Sequence, residues 1–246
     1  MRMLSLYSIK GGVGKTASAV NLAAEAANHG LRVLLWDLDP QAATTFYLKI
    51  KPRIRGGVNK LVKGKSSFDK VIRSTAMPNL DVLPASLESR SLDQLLEKRG
   101  TSHLRQMLHE VRNDYDLIVL DCPPTLSHLS ENMFTSADAL LVPIVPTTLS
   151  LRTLDQLQSF LDDEDLACPV WPFVTLADRR RTLHRDIMDT LGTQWPLRMS
   201  TVIPAASAVE RMGVERAPLC SFAPHSPANK AYQALWKELH QRLGIA

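Results

Sequence analysis

The stretch SIKGGVGKT, residues 8–16, decides the fold. An apolar run, Met3–Ile9, leads into it and predicts a strand, and the helical spacing of apolar residues over Thr16–Asn28 predicts a helix. The glycines between them let backbone N–H groups converge on an anion with no Cβ atom in the way. The N-terminal end of the following helix adds a positive dipole at the same place. A strand, a glycine-rich turn and a helix in this order predict a phosphate-binding loop.

Each position of this loop has an expected task. The Lys15 ammonium should neutralise the β- and γ-phosphate oxygens of ATP, and the Thr16 hydroxyl should bind Mg²⁺. The usual first glycine of such a loop is replaced by Ile9, and an extra lysine precedes the glycines. ATP and Mg²⁺ are therefore the expected cofactors. The loop residues expected to bind the nucleotide are Lys10, Gly11, Gly12, Val13, Gly14, Lys15, Thr16 and Ala17.

The rest of the chain alternates apolar runs with helical patterns. This alternation predicts an α/β fold, with a mostly parallel, twisted sheet and helices on both faces, formed by residues 1–246 as a single domain. Residues 49–67 are the least regular and are predicted to be an excursion from the core. The further strands are expected at Leu31–Trp36, Leu80–Leu83, Leu117–Leu120, Ala139–Val145, Val170–Thr175 and Met199–Ile203. The further helices are expected at Leu87–Lys98, Ser102–Arg112, Leu149–Leu161, Leu183–Leu191 and Pro227–Leu243.

Three more segments match a known pattern in order and spacing. Residues 37–41 read DLDPQ, residues 118–124 read IVLDCPP, and residues 201–204 read TVIP. Together with KGGVGKT at 10–16, they resemble the motifs of the ParA/MinD family of deviant Walker A ATPases over nearly the whole chain. Because the loop begins at residue 10, the chain looks like the short, Soj-like ParA proteins.

The resemblance implies a homodimer that forms on ATP binding, encloses two nucleotides and hydrolyses them slowly. Lys10 would then reach the partner's nucleotide, where a cation arriving on dimerisation meets the charge that develops on the phosphoryl oxygens. The alternative for Lys10 is a solvated loop lysine. The resemblance also implies that Pro204 and Ala205 lie against the adenine, with Thr175 near its edge.

Three aspartates at strand ends complete the expected site. Asp39 would orient the attacking water, so that Lys10, Lys15 and Asp39 are the expected catalytic residues. Asp37 would support Mg²⁺ and the loop lysine, and Asp121 would contact Mg²⁺ through water, which makes Thr16, Asp37 and Asp121 the expected metal site. The alternatives are a solvated turn in which an aspartate caps a helix at Ala42, and an ordinary aspartate ending a strand.

The chain departs from the family pattern at two places. The second threonine that usually follows the loop lysine is Ala17, which removes one side-chain contact to a phosphate and keeps the backbone N–H. The arginines that usually follow the IP segment are replaced by Ala205 and Ala208. These positions lie near the surface that the family uses for dimer and DNA contacts, which argues against ordinary plasmid or chromosome partitioning and indicates a specialised partner or cargo.

The charge pattern suggests a polyanionic partner. Net charge is +4, residues 40–68 hold seven basic and no acidic residues, and a second basic cluster comprises Arg179, Arg180, Arg181 and Arg185. We expect the ATP-bound dimer to bind DNA without sequence preference, in the cytoplasm on the nucleoid. The alternative is a solvated basic face. The resemblance further implies an adaptor protein that carries the cargo and stimulates hydrolysis.

Rival functions depend on features that are weak in this sequence. A MinD-like membrane-associated ATPase needs an amphipathic, basic C-terminal helix, whereas the stripe in Pro227–Leu243 is better explained by a helix that faces the core. An electron-transfer ATPase needs paired cysteines for a shared cluster, and an ATP-dependent ligase needs a substrate pocket. The three cysteines are widely spaced and form no CxxC motif, and this spacing also argues against a zinc site. The sequence contains no run of about 18 apolar residues, which is the length that a membrane-spanning helix needs.

Overall fold

The computed structural model describes residues 1–51, 57–85 and 89–245. Within these residues one eight-stranded sheet has the order β3-β4-β2-β5-β1-β6-β7-β8, and its pairs are parallel except the antiparallel β3–β4 pair at one edge. The predicted α/β fold is confirmed. The strands are β1 (Arg2–Leu6), β2 (Val33–Asp37), β3 (Arg73–Ser74), β4 (Leu80–Leu83), β5 (Leu117–Asp121), β6 (Ala139–Ile144), β7 (Val170–Ala177) and β8 (Val202–Pro204).

Helices cover both faces of the sheet. The described α-helices are α1 (Lys15–Asn28), α2 (Ala43–Tyr47), α3 (Gly57–Val62), α4 (Phe68–Val71), α5 (Ser89–Glu97), α6 (His103–Leu108), α7 (His128–Ser136), α8 (Thr148–Asp163), α9 (Thr182–Gln194), α10 (Ser207–Glu215), α11 (Leu219–Phe222) and α12 (Pro227–Leu243), and a 3₁₀ turn covers His109–Val111.

The central strands are apolar along their whole length because each face packs against helices. In β2, Leu34 and Trp36 join the cluster that packs under α5 to α8, while Val33 and Leu35 join the cluster under α1 and α12. Successive side chains of a strand point to opposite faces, so one short apolar run supplies two cores. The carboxyl ends of β1, β2 and β5 are thereby held side by side at one edge of the sheet.

The last helix faces the core, as its sequence pattern predicts. Leu235 and Leu239 of α12 are fully buried and belong to the cluster that contains α1. The stripe is thus used in packing and does not form a surface for a membrane. In the part of the chain that the structure describes, no helix is long and apolar enough to cross a membrane.

Helix α10 is attached more lightly. Among its nine described residues Met212 is the buried one. The helix ends at Arg216, which has left-handed backbone angles (φ 50°, ψ 55°) that glycine usually adopts at such a position.

Some predicted boundaries are wrong. The first strand ends at Leu6, because the next residues turn into the loop, and the helix predicted over 102–112 ends at Leu108 and continues as the 3₁₀ turn. The predicted excursion at 49–67 is wrong for α3, since Leu61 and Val62 are buried in the core. The remainder of that prediction includes residues 52–56, which lie outside the described residues, as does the predicted helix start at residue 87.

Candidate active site

The loop after β1 is shaped by two glycines. Gly12 (φ 74°) and Gly14 (φ 84°) both have left-handed backbone angles that a side chain disfavours. Gly14 is also the N-cap of α1, and no side chain among the described residues caps this helix. The first N–H groups of α1 are therefore available to an anion that sits against the loop.

The two expected loop ligands are positioned at the start of α1. Lys15 is 7% exposed, and its charge partly offsets the rise that burial causes in the pKa of Asp121. Thr16 is half-buried, and its hydroxyl also opposes the rise in the pKa of Asp121. Lys10 is half-exposed, and its backbone N–H donates a hydrogen bond to Ser8 Oγ at 3.2 Å. The structure thus brings Lys15, Thr16 and Asp121 together.

Asp37 and Asp121 are register partners at the ends of β2 and β5. Both are buried, with 1% and 0% of their surface exposed. The pKa of Asp37 is raised to about 7, mainly by burial and also by the charges of Asp121 and Asp39, while the hydrogen bonds from Thr45 act in the opposite direction. Burial also raises the pKa of Asp121 to about 6, although Thr44, Thr16 and Lys15 act in the opposite direction. Two carboxylates that are buried side by side favour the binding of a cation.

One oxygen of each carboxylate is left for such a cation. Asp121 Oδ2 accepts a hydrogen bond from Thr44 Oγ1 at 2.7 Å, and Asp37 Oδ2 accepts two from Thr45, from N at 2.8 Å and from Oγ1 at 2.6 Å. Among the described residues neither Asp37 Oδ1 nor Asp121 Oδ1 has a hydrogen-bond partner. Buried oxygens of this kind, beside a threonine hydroxyl, fit the oxygen ligands that Mg²⁺ prefers.

The sequence motifs do not include Thr44 and Thr45. Both residues lie on α2, a five-residue helix with too few positions to show a helical period. The partner of Thr44 is also 77 positions away along the chain. The available signal is a pair of adjacent hydroxyl residues shortly after a strand that ends in an acidic motif.

Asp39 is half-exposed and lies in the turn between β2 and α2. Its Oδ1 accepts a hydrogen bond from the Gln41 N–H at 2.9 Å, and its carbonyl accepts one from the Ala42 N–H at 2.9 Å. The carboxylate therefore shapes the turn that leads to α2, and Ala42 is the N-cap residue of that helix. This geometry leaves Asp39 in contact with solvent near the carboxylate pair.

The residues expected near the adenine fall into two places. Thr175 is buried beside the loop, and its Oγ1 lies 3.5 Å from where a Cβ on Gly14 would stand. Pro204 and Ala205 line a cleft of about 470 Å³ that is bounded on one side by Asp178–Arg180 and on the other by α12. Cys122, next to Asp121, is fully buried, as expected for a small packing residue.

Comparison with known proteins places these residues in a family context. The AAA domain family matches residues 1–165. The chromosome-partitioning ATPase Soj of Treponema pallidum is 30% identical over 253 residues, which cover 99% of this chain and 98% of that protein. The sporulation initiation inhibitor protein Soj of Bacillus subtilis is 29% identical, with 97% and 98% covered.

Solved structures agree with the fold. The chain is similar to the cobyrinic acid a,c-diamide synthase of Mycobacterium smegmatis with bound ATP analogue and magnesium, with 26% identity and a TM-score of 0.82. That comparison covers 99% of this chain and 97% of the other. The cell division ATPase MinD of Pyrococcus furiosus has the same fold at 22% identity, with a TM-score of 0.79 over 98% and 99% of the two chains.

Proposed function

Since the chain belongs to the ParA/MinD-type P-loop ATPases and uses ATP and Mg²⁺, we propose that it is an ATP-dependent dimerisation switch with slow hydrolysis. The switch positions or partitions a cargo, either DNA or a protein complex, on the nucleoid. Residues 1–246 act in it as a single ATPase domain. Relatives named for chromosome partitioning support this assignment.

One observation carries the proposal. The start of α1, with its nearly buried Lys15, meets the carboxyl ends of β2 and β5, where two buried aspartates each have an unpartnered oxygen. Open α/β sheets bind ligands at this edge of the sheet. A phosphate loop and a cation site are thus joined in one place, which is the arrangement that phosphoryl transfer requires.

The roles of the site residues follow from this geometry. The N–H groups of residues 10–17 hold the phosphates, and Lys15 neutralises the charge on the transferred group. Thr16, Asp37 and Asp121 hold the metal, which when bound offsets the charge of the phosphate oxygens. Asp39, at the solvent side of the pair, orients the attacking water. Pro204 and Ala205 border the base, and Thr175 supports the loop from the side of Gly14.

Lys10 gives the switch its dependence on a second copy. Its side chain is half-exposed in the loop, and in the proposed dimer its ammonium would contact the nucleotide held by the partner subunit. A cation that arrives with the partner stabilises charge only in the dimer, so hydrolysis follows assembly. ATP then favours the dimer and hydrolysis releases it. An adaptor protein that bears the cargo accelerates this step.

The test separates switching from chemistry. With ATP and Mg²⁺, light scattering after size exclusion should show a dimer for the wild type and for Asp39→Ala, and phosphate release should be abolished in Asp39→Ala. Lys15→Ala should lose nucleotide binding and remain a monomer, because the phosphate charge is no longer matched. An unchanged hydrolysis rate in Asp39→Ala would remove the water-positioning role. A wild type that stays monomeric with ATP would refute the switch.

A further inference from the structure

Helix α2 is held in a strained frame. Its N-cap residue Ala42 (φ 56°) and Lys49 (φ 58°), two residues past its end, both have left-handed backbone angles without being glycine. Such angles persist only where the surroundings impose them. The helix makes side-chain contacts both through its buried threonines and through its exposed Phe46.

On its inner side α2 holds the carboxylate pair. Thr44 donates to Asp121, and Thr45 donates twice to Asp37. Thr45 Oγ1 also accepts a hydrogen bond from the Ala85 N–H at 3.0 Å, just after β4. Because both threonines are buried and adjacent, one short helix fixes the orientation of both aspartates.

On its outer side α2 is tied to α10. The Arg216 guanidinium lies 4.5 Å above the centroid of the Phe46 ring, and its Nε donates to the Phe46 carbonyl at 3.0 Å. Arg216 makes these contacts from a left-handed position at the end of α10, where glycine would be less strained. A strained arginine with two contacts to one residue is a specific link between the helices.

Resting on the proposed assignment of Asp37 and Asp121 to the metal, we propose that α2 couples metal binding to the conformation of α10. Thr44 and Thr45 are positioning residues that hold the carboxylates, and Arg216 carries the change to α10. Asp37 and Asp121 would lose rotational freedom when they hold a metal, and the hydroxyls of Thr44 and Thr45, which donate hydrogen bonds to them, would shift with the two carboxylates. The five residues of α2 are too few to bend independently, so Phe46 moves with them.

Hydrogen exchange of the full chain bound to ADP, in EDTA or in MgCl₂, tests the link. In the wild type Mg²⁺ should slow amide exchange over both 43–50 and 207–216. Arg216→Gly should keep the slowing at 43–50 and lose it at 207–216. Glycine suits the left-handed angles, so this variant should fold. Arg211→Ala is the matched control on α10, since Arg211 lies over Phe222 and pairs with Glu215, and it should respond like the wild type.

A second variant tests the positioning role. Thr44→Val keeps the shape of the side chain and removes the hydrogen bond to Asp121, so the Mg²⁺ affinity of the ADP-bound chain should fall about 10-fold by calorimetry, as for other residues that orient a metal ligand. Thr135→Val, which removes a hydroxyl bonded to the Glu131 carbonyl in α7, should leave that affinity unchanged.

The outcomes separate this inference from the proposed function. If the wild type dimerises with ATP while 207–216 ignores Mg²⁺, or responds equally in Arg216→Gly, the coupling is refuted and the switch stands. Unchanged Mg²⁺ affinity in Thr44→Val refutes the positioning role. If ADP binds and Mg²⁺ does not, the metal assignment and the coupling are both refuted.

Discussion

The paired aspartates are the most consequential single residues in the molecule. Asp37 and Asp121 face each other across adjacent strands in a place that water does not reach. Removing charged groups from water is costly, and two like charges raise the cost further. Without a cation, the folded chain therefore retains protons on these carboxyls at pH values where free carboxyls have lost them.

This retention predicts a pH dependence of stability in EDTA. The pKa of Asp37 is raised to about 7, above the ~3.9 of an unfolded aspartate, so the folded state binds more protons between about pH 4 and pH 7. The free energy of unfolding should fall as pH rises through that window, by on the order of a few kcal/mol. Asp37→Asn should weaken the decline and leave the part due to Asp121.

Urea unfolding between pH 4.5 and pH 8 in EDTA measures the effect. Asp155→Asn, a change at an exposed position of α8, should leave the wild-type profile intact. If the profiles of Asp37→Asn and the wild type coincide, burial of this carboxyl does not govern the pH dependence.

Among the elements, α12 packs into the same buried cluster as α1, the helix that follows the loop. Leu235 is fully buried against the cluster of α1. Leu235→Ala should lower the free energy of unfolding by about 2–5 kcal/mol, since it removes apolar contacts and leaves a cavity. The measurement is the urea midpoint in the presence of Mg²⁺ and ADP. Gln233→Ala, at an exposed neighbouring position, should cost far less, and equal losses would contradict a core role for the stripe.

Sequence patterns predict the elements whose burial is one-sided or complete over a long run. The apolar runs of β2, β5 and β6 and the periodic helices α1, α8 and α12 are of this kind. The sequence patterns do not predict α7 and α10, and they give a helix at Ala42 only as an alternative explanation of the aspartates, because these helices are short or have few apolar positions. The same limit applies to the site: the motifs indicate Lys15, Asp37 and Asp121, whereas the contacts of Thr44 and Thr45 arise only when distant strands meet.

At the scale of the whole molecule, the distribution of charge determines what the proposed dimer would bind. Arg179 and Arg181 are exposed at the start of α9, whereas Arg180 is paired with Asp178 and Arg211 with Glu215. The proposed dimer presents Arg179 and Arg181 twice. Of the basic stretch at 40–68, Arg53 and Arg55 lie outside the described residues, and the five lysines are exposed.

We predict salt-dependent DNA binding that requires ATP. The logarithm of the affinity should fall linearly with the logarithm of the salt concentration. The slope of this line should be about −0.9 for each phosphate that the protein neutralises. The double change Arg179→Ala and Arg181→Ala removes four cations per dimer, and it should make this slope less steep by up to about 4. Fluorescence anisotropy with an unspecific duplex, in ADP and in ATP, measures both dependences.

The control for this prediction is the double change Lys230→Ala and Lys237→Ala on α12, which removes the same charge from another exposed element. If both double variants change the slope equally, net charge is the cause and the surface at α9 is not specific. Binding that is equal in ADP and ATP would contradict the dependence on the dimer.

Because α10 has few buried residues, its exposed surface can change to suit a different partner. Met212 is buried, Ala208 and Val209 are partly buried against the core, and the remaining residues of the helix reach the surface, so its outward positions can be changed without removing these contacts. Variants that differ at the outward positions of α10 and keep Met212, Gly213 and Arg216 should still hydrolyse ATP. A few substitutions on α10 should therefore be enough to change the cargo that this ATPase positions.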